Sequence, residues 1–234
     1  MAQESAVTAL PPAPPAAPAG GPGREGTGCE AAPARHRNRR GEGTRLREEI
    51  VRAAVEIIER TGSDQALTLR SVAREVGIAA PSIYAHFADR EAIVEAVIIE
   101  SLGHLRDAVL SVVSRIEDPV EALLAGCAAY VAFGAREPAR YRLLFGSPRG
   151  RSEDPDCPPK GQGMLAFATL VDGVEACVEA GRSASEDPFG DAVALWTALH
   201  GQVTLRASQP DFPWPPTDTV AQLARRLGRI LPES

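Results

Sequence analysis

Residues 67–87 read LTLRSVAREVGIAAPSIYAHF. Thr68 stands where an N-cap opens a short helix. Leu67 before it and Val72 after it have the spacing of a hydrophobic staple. The helix reaches about Glu75, Val76-Gly77-Ile78 breaks it, and a second short helix covers about 79–85. Small Ala73 sits where the two must approach closely, and Val72, Val76, Ile78 and Ile83 can bury between them. This is the arithmetic of a helix-turn-helix: the first helix braces and the second lies in a major groove, about 12 Å wide, that admits one helix. The second helix presents Ala80, Ser82 and Tyr84 on its outer side. With few long side chains there, specificity would lean on few direct contacts and on DNA shape. The alternative is an all-α small-molecule-binding or catalytic protein in which the hairpin is only structural.

Outward from this stretch the pattern stays helical. Ile50, Ala54, Ile57 and Ile58 form one face of a helix that Thr44 can cap and Gly62 ends. Asp89 caps a long helix whose stripe is Ile93, Val94, Val97, Ile98, Leu102, Leu105 and Val109. Asp118-Pro119-x-Glu121 opens the next, to about Arg136. Pro138 starts another, closed by Gly146, and a loop over 147–162 follows. Three more are expected at about 163–180, 188–208 and 217–231, the last capped by Thr217. No segment alternates as a strand would. The expectation is an all-α chain of about nine helices. Its parts are a tail and basic arm (1–43), a helix-turn-helix domain (44–90) and a helical effector-binding and dimerisation bundle (91–234).

Composition narrows the function classes. The first 34 residues are Pro, Ala and Gly with almost no large apolar groups, and read as disordered. They lack a basic leader, so no signal peptide is expected, and no apolar run is long enough for a membrane helix. Four dispersed cysteines, with no C-x-x-C, argue against a zinc site and a disulfide scaffold. A cytoplasmic protein without metal or cofactor is expected. Residues 35–90 hold eleven arginines against eight acids, whereas 91–234 hold thirteen basic residues against twenty acids, so only the front suits a polyanion. The run Arg35-His36-Arg37-Asn38-Arg39-Arg40 is either a solvated linker or an arm on phosphates. Catalysis fails on inventory. The four histidines (His36, His86, His104, His200) are scattered, and no nucleophile elbow, phosphate loop or paired-carboxylate motif occurs. A non-specific DNA binder would not need the acidic bundle behind the reading head.

Over about 50 residues, REEIVRAAVEIIERTGSDQALTLRSVAREVGIAAPSIYAHFADREAIVEAV resembles the DNA-binding domain of TetR-family transcriptional regulators. Gly77, Tyr84, His86, Phe87, Arg90, Glu91 and Ile93 carry the resemblance. It implies a homodimeric, ligand-responsive repressor with double-stranded DNA and a small effector as partners. By position it implies that Thr68, His86 and Arg90 contact phosphates, that Ser82 and Tyr84 face the groove, and that Arg45 reaches the backbone. Ala79 departs from the pattern, standing where a capping Ser is frequent, at a cost of about 1 kcal/mol.

The rear half, EPARYRLLFG and then ALWTALHG, resembles the effector domain of a TetR subgroup named for a Trp-His-Gly motif. Trp196 and His200 are four apart and share a helix face, either as packing or as the wall of an apolar ligand pocket with His200 as its polar contact. Phe133, Tyr141, Phe145 and Phe167 fall in neighbouring helices and are candidate lining. Leu195, Leu199 and Val203, then Val220, Leu223, Leu227 and Ile230, look like more apolar surface than one bundle can bury. They predict a two-fold dimer with recognition helices roughly 34 Å apart on a palindrome. The effector would tilt the long helix from Asp89 and change that spacing.

Overall fold

Capping chemistry sets most helix boundaries in this chain. The computed structural model describes residues 42–145, 158–215 and 219–232. The tail, the basic arm at 35–40, Gly146 and Thr217 lie outside the described residues. Among the described residues there are nine α-helices and no strand: α1 (Glu42–Thr61), α2 (Leu69–Val76), α3 (Ala80–Ile83), α4 (Arg90–Val113), α5 (Pro119–Arg136), α6 (Pro138–Phe145), α7 (Pro158–Glu179), α8 (Pro188–Ser208) and α9 (Thr219–Leu227). The all-α expectation holds.

The Asp89 side chain accepts from the Ala92 N–H, Asp118 from Val120 and Glu121, and Asp187 from Gly190. Each relieves N–H groups that have no partner inside the helix. Backbone donation from Glu121, with Arg182 close by, also holds the Asp118 carboxyl below the usual carboxylate range. Gly77 closes α2 at φ 74°. Its N–H bonds the Arg74 carbonyl (3.2 Å) and that of Ile78 bonds Ala73 (2.9 Å), the paired bonds of a Schellman end.

Three boundaries differ from the sequence reading. α1 begins at Glu42, so Thr44 sits in its first turn and is no cap. α7 begins at Pro158, inside the stretch read as a loop, because proline fits a first turn whose N–H groups lack partners anyway. α9 stops at Leu227, short of the predicted end. Arg229 turns left-handed (φ 50°), and the chain then bonds sideways: Ala184 N–H to Arg229 O at 2.9 Å and Leu231 N–H to Arg182 O at 2.8 Å.

The interior has a front and a rear. Ile50, Ile58, Leu67, Val72, Ile83, Phe87, Ile93 and Val97 are buried together, joined by Ala139 and Leu143 of α6. Val120, Leu123, Cys127, Val174, Cys177, Leu195 and Leu199 form the rear cluster. A third cluster, Leu105, Phe133, Tyr141 and Val203, is built from α4, α5, α6 and α8. The inner face of α8 corrects the argument made for dimerisation. Leu195, Leu199 and Val203 are buried within one chain, and Val220, Leu227 and Ile230 pack on the rear cluster. One bundle thus buries the α8 residues, with α5 and α7 as the opposing walls, and covers Val220, Leu223, Leu227 and Ile230 only in part.

Two glycines are irreplaceable for different reasons. Gly77 has a left-handed φ but no atom within 4 Å of an added Cβ, so its constraint is purely dihedral. Gly134 in α5 would drive a Cβ into the Val203 and Tyr141 side chains. Gly77→Ala should cost about 1–2 kcal/mol and Gly134→Ala about 1–3 kcal/mol, measured by urea denaturation. Val203→Ala should recover part of the Gly134→Ala loss and none of the Gly77→Ala loss.

Candidate nucleic-acid interface and rear cavity

α3 is a single turn of four residues, with no side-chain cap at Ala79 and Pro81 in its first turn. So short a helix has no stability of its own. It is held by Ile83, fully buried, and by Phe87, which is 2% exposed. The opposite side is open: Ser82 is exposed and Tyr84 is 60% exposed. Ala80 does not share that side; it is half-buried against the front core, because the first turn of α3 leans on α2.

The remaining predicted DNA-side residues fall into two kinds. Arg45 is on the surface of α1, with 81% of its side chain exposed and a single bond to Glu49. The His86 ring is half-buried with no hydrogen-bond partner among the described residues. Thr68 and Arg90 are instead engaged within the chain. The Thr68 hydroxyl accepts from the Ser71 N–H at 3.0 Å, and the Thr68 N–H donates to the Ser71 hydroxyl at 2.9 Å. This is a capping box with serine in the place of the usual glutamate. The Arg90 guanidinium donates to Leu67 O (3.0 Å), Asp64 O (2.6 Å) and Asp64 Oδ2 (3.0 Å). It ties the entry to α2 onto the start of α4.

Two arginines were not legible in advance. Arg47 of α1 donates to the His86 carbonyl at 3.0 Å and lies 4.2 Å over the Phe87 ring, clamping the chain where it leaves α3. Arg70 is exposed on α2 with no ion-pair partner among the described residues. Nothing in a chain with twenty-five basic residues ranks these two above the rest.

Behind the head a cavity of about 910 Å³ opens between α4, α5, α7 and α8. Its lining is overwhelmingly apolar and includes Val109, Cys127, Tyr130, Phe145, Phe167 and Trp196. Of the six residues predicted to line a pocket, Phe145, Phe167 and Trp196 do so. Phe133 is fully buried in the third cluster, edge-on to His104. Tyr141 and His200 stand behind the wall. Trp196 Nε1 donates to Tyr130 Oη (3.2 Å), Tyr130 Oη is 2.8 Å from Tyr141 Oη, and Tyr141 Oη is 2.7 Å from His200 Nδ1. Tyr130 was not singled out from the sequence. It is the hydroxyl in this chain whose residue also lines the cavity. Burial pushes the Tyr130 and Tyr141 phenols up and holds the His200 imidazole down, so the chain is uncharged. Burial, with Cys177 beside it, pushes the Cys127 thiol up to about 12, which leaves no thiolate for chemistry.

Helix α6 touches both regions. Phe145 lines the cavity. Arg140, 11% exposed, bonds Glu59 of α1 (2.8 Å) and Glu100 of α4 (3.0 Å). Arg142 donates to the Gly62 carbonyl at the end of α1 (3.1 Å).

Residues 50–97 match the model of bacterial regulatory proteins of the tetR family, and residues 123–230 match that of the tetracyclin repressor-like C-terminal domain. An uncharacterized HTH-type transcriptional regulator of Mycobacterium tuberculosis is 30% identical over 164 residues, spanning 68% of this chain and 69% of that protein. Two solved structures have similar folds. A protein of unknown function from Rhodococcus sp. RHA1 superposes with a TM-score of 0.68 at 24% identity, covering 79% of this chain and 94% of that one. A TetR family transcription regulator from Marinobacter aquaeolei VT8 gives 0.61 at 18% identity, covering 81% and 97%.

The bonds of Arg90 separate it from Arg45. Arg90→Ala should lower stability by about 1–2 kcal/mol in chemical denaturation, since it leaves the Leu67 and Asp64 carbonyls without their donor. Arg45→Ala should leave the unfolding curve unmoved and, if Arg45 lies on a phosphate, flatten the salt dependence of DNA binding.

Proposed function

The chain belongs to the TetR family of bacterial regulatory proteins, and from that premise we propose that it is a ligand-responsive repressor acting in the cytoplasm as a homodimer on a palindromic operator. It is a DNA-binding transcriptional regulator and not an enzyme. The observation that carries the proposal is the exposure of Ser82 on α3 and of Tyr84 at its end while Ile83 between them is fully buried. A hairpin packed inside a core would bury both faces.

In this reading 44–90 is the reading head and 91–234 the effector and dimerisation part. Ser82 and Tyr84 meet base edges and the groove wall. His86, Arg45 and Arg70 lie along phosphates, which position the protein without specifying sequence. Thr68 presents its helix start to a phosphate while its side chain keeps the cap. Arg90 acts by holding α2 against α4. The dimer forms on the outer side of α8, where Leu205 is 52% exposed, not on the inner face. Trp196, His200 and Gly201 on α8 support placing the rear part in the Trp-His-Gly subgroup.

The effector enters the apolar cavity. Phe145 feels it directly, and the Arg140 and Arg142 bonds pass the displacement of α6 to α1 and α4. The ligand need only favour the state in which the two heads no longer match the operator.

A gel shift with DNA from upstream of the gene is the first measurement. Retarded complex is expected at low salt, and its absence with folded dimer present would refute the operator reading. His86→Ala should weaken binding to all sequences alike, and Ser82→Ala should change preference among operator variants. Sedimentation should give a dimer at micromolar concentration, and Leu205→Glu should shift it toward monomer without changing helical content.

A further inference from the structure

The chain Trp196–Tyr130–Tyr141–His200 has two self-consistent proton arrangements. When His200 Nδ1 carries no proton, Trp196 donates to Tyr130, Tyr130 to Tyr141, and Tyr141 to His200. The Tyr130 oxygen then has one lone pair left and can accept. When Nδ1 carries the proton, which a neutral imidazole allows by changing tautomer, His200 donates to Tyr141 and Tyr141 to Tyr130. The Tyr130 O–H is then released to donate. The same hydroxyl is thus an acceptor or a donor, and no charge is created in either form.

The rest of the lining offers little to a charged group. Among the described lining residues the charged side chains are Arg106 and Asp172, one of each sign. Arg106, 37% of whose side chain is exposed, pairs through Nη2 with Asp107 (3.5 Å), while its Nε is buried without a hydrogen-bond partner; Asp172 is exposed. Thr169 is bonded back to its own helix at Leu165 O. Inside, Tyr130 is the adaptable hydroxyl of a largely apolar chamber.

We propose that the cavity takes an uncharged, largely apolar ligand with one polar oxygen, ketone or alcohol, seated on Tyr130, and that the hydrogen-bond chain to His200 reverses to suit either. This rests on the cavity being the effector site. Carboxylates of the same length are discriminated against, because the one cation among the described lining residues, Arg106, is already paired with Asp107.

The test uses the full chain carrying Trp214→Phe. Trp214 lies outside the cavity, bonded to Gln209 O and stacked by Arg206, and the chain has two tryptophans, so Trp196 becomes the sole emitter. Methyl decyl ketone, methyl decyl carbinol and dodecanoate are titrated by Trp196 emission and by calorimetry. The ketone and the carbinol should bind with similar Kd, roughly tenfold or more below that of dodecanoate. Tyr130→Phe should weaken both neutral probes by ~3–10-fold and leave dodecanoate unchanged. Tyr141→Phe keeps the Tyr130 hydroxyl but frees its proton, so the ketone should gain on the carbinol. That change of ratio is one that simple loss of packing would not produce. Tightest binding of dodecanoate, abolished by Arg106→Leu, would overturn the proposal and move the polar end to Arg106. So would unchanged ketone and carbinol binding in folded Tyr130→Phe, or an unchanged ratio in Tyr141→Phe. If none of the three probes alters Trp196 emission or heat, the effector-site reading itself falls, and this inference with it.

Discussion

The reading head depends on the burial of Ile83 and Phe87. α3 is one turn long and lacks a side-chain cap, so neither propensity nor capping can hold it. Its position comes from two side chains sunk into a core that α1, α2, α4 and α6 build around them. Arg47 secures the exit of α3 at the His86 carbonyl, and Arg90 secures the entry to α2 at Asp64 and Leu67. The exposed pair Ser82 and Tyr84 is aimed by what lies beneath it.

That core is not private to the head. Ala139 and Leu143 of α6 belong to it, while Tyr141 and Phe145 on the same eight-residue helix turn toward the third cluster and the cavity. α4 does likewise along its length, with Ile93 to Leu102 in front and Leu105 and Val109 at the rear. The cavity walls therefore include helices that the head already uses for its own stability. Tight packing makes such a contact bistable and not compliant, which is the property a regulator needs.

The cavity itself combines a large apolar volume with a buried chain of ring groups bonded to one another. Each link of the chain from Trp196 to His200 relieves the desolvation of the next. Its members stay neutral because burial disfavours every charged form. Catalytic sites usually leave such groups with a proton to transfer at working pH. Here the arrangement offers recognition.

Sequence by itself determined the helices, the head and the family, because those depend on local rules. Asp89, Asp118 and Asp187 announce helix starts, Gly77 announces a left-handed stop, and the 67–87 spacing announces two short helices in contact. Periodicity also assigned apolar faces correctly. What it could not say is which neighbour covers a face. Leu195, Leu199 and Val203 satisfy a dimer seam and a monomer core equally well, and only the placement of α5 and α7 chose the core. The same limit applies to polar roles. Arg90 and Thr68 look like phosphate ligands in a motif, yet their partners are 23 residues away in one case and three in the other. Tyr130 carried no signal at all, since its function is to meet Tyr141 and Trp196 across three helices. Hydrogen bonds between distant elements are fixed by how helices pack, and the tertiary structure alone decides that.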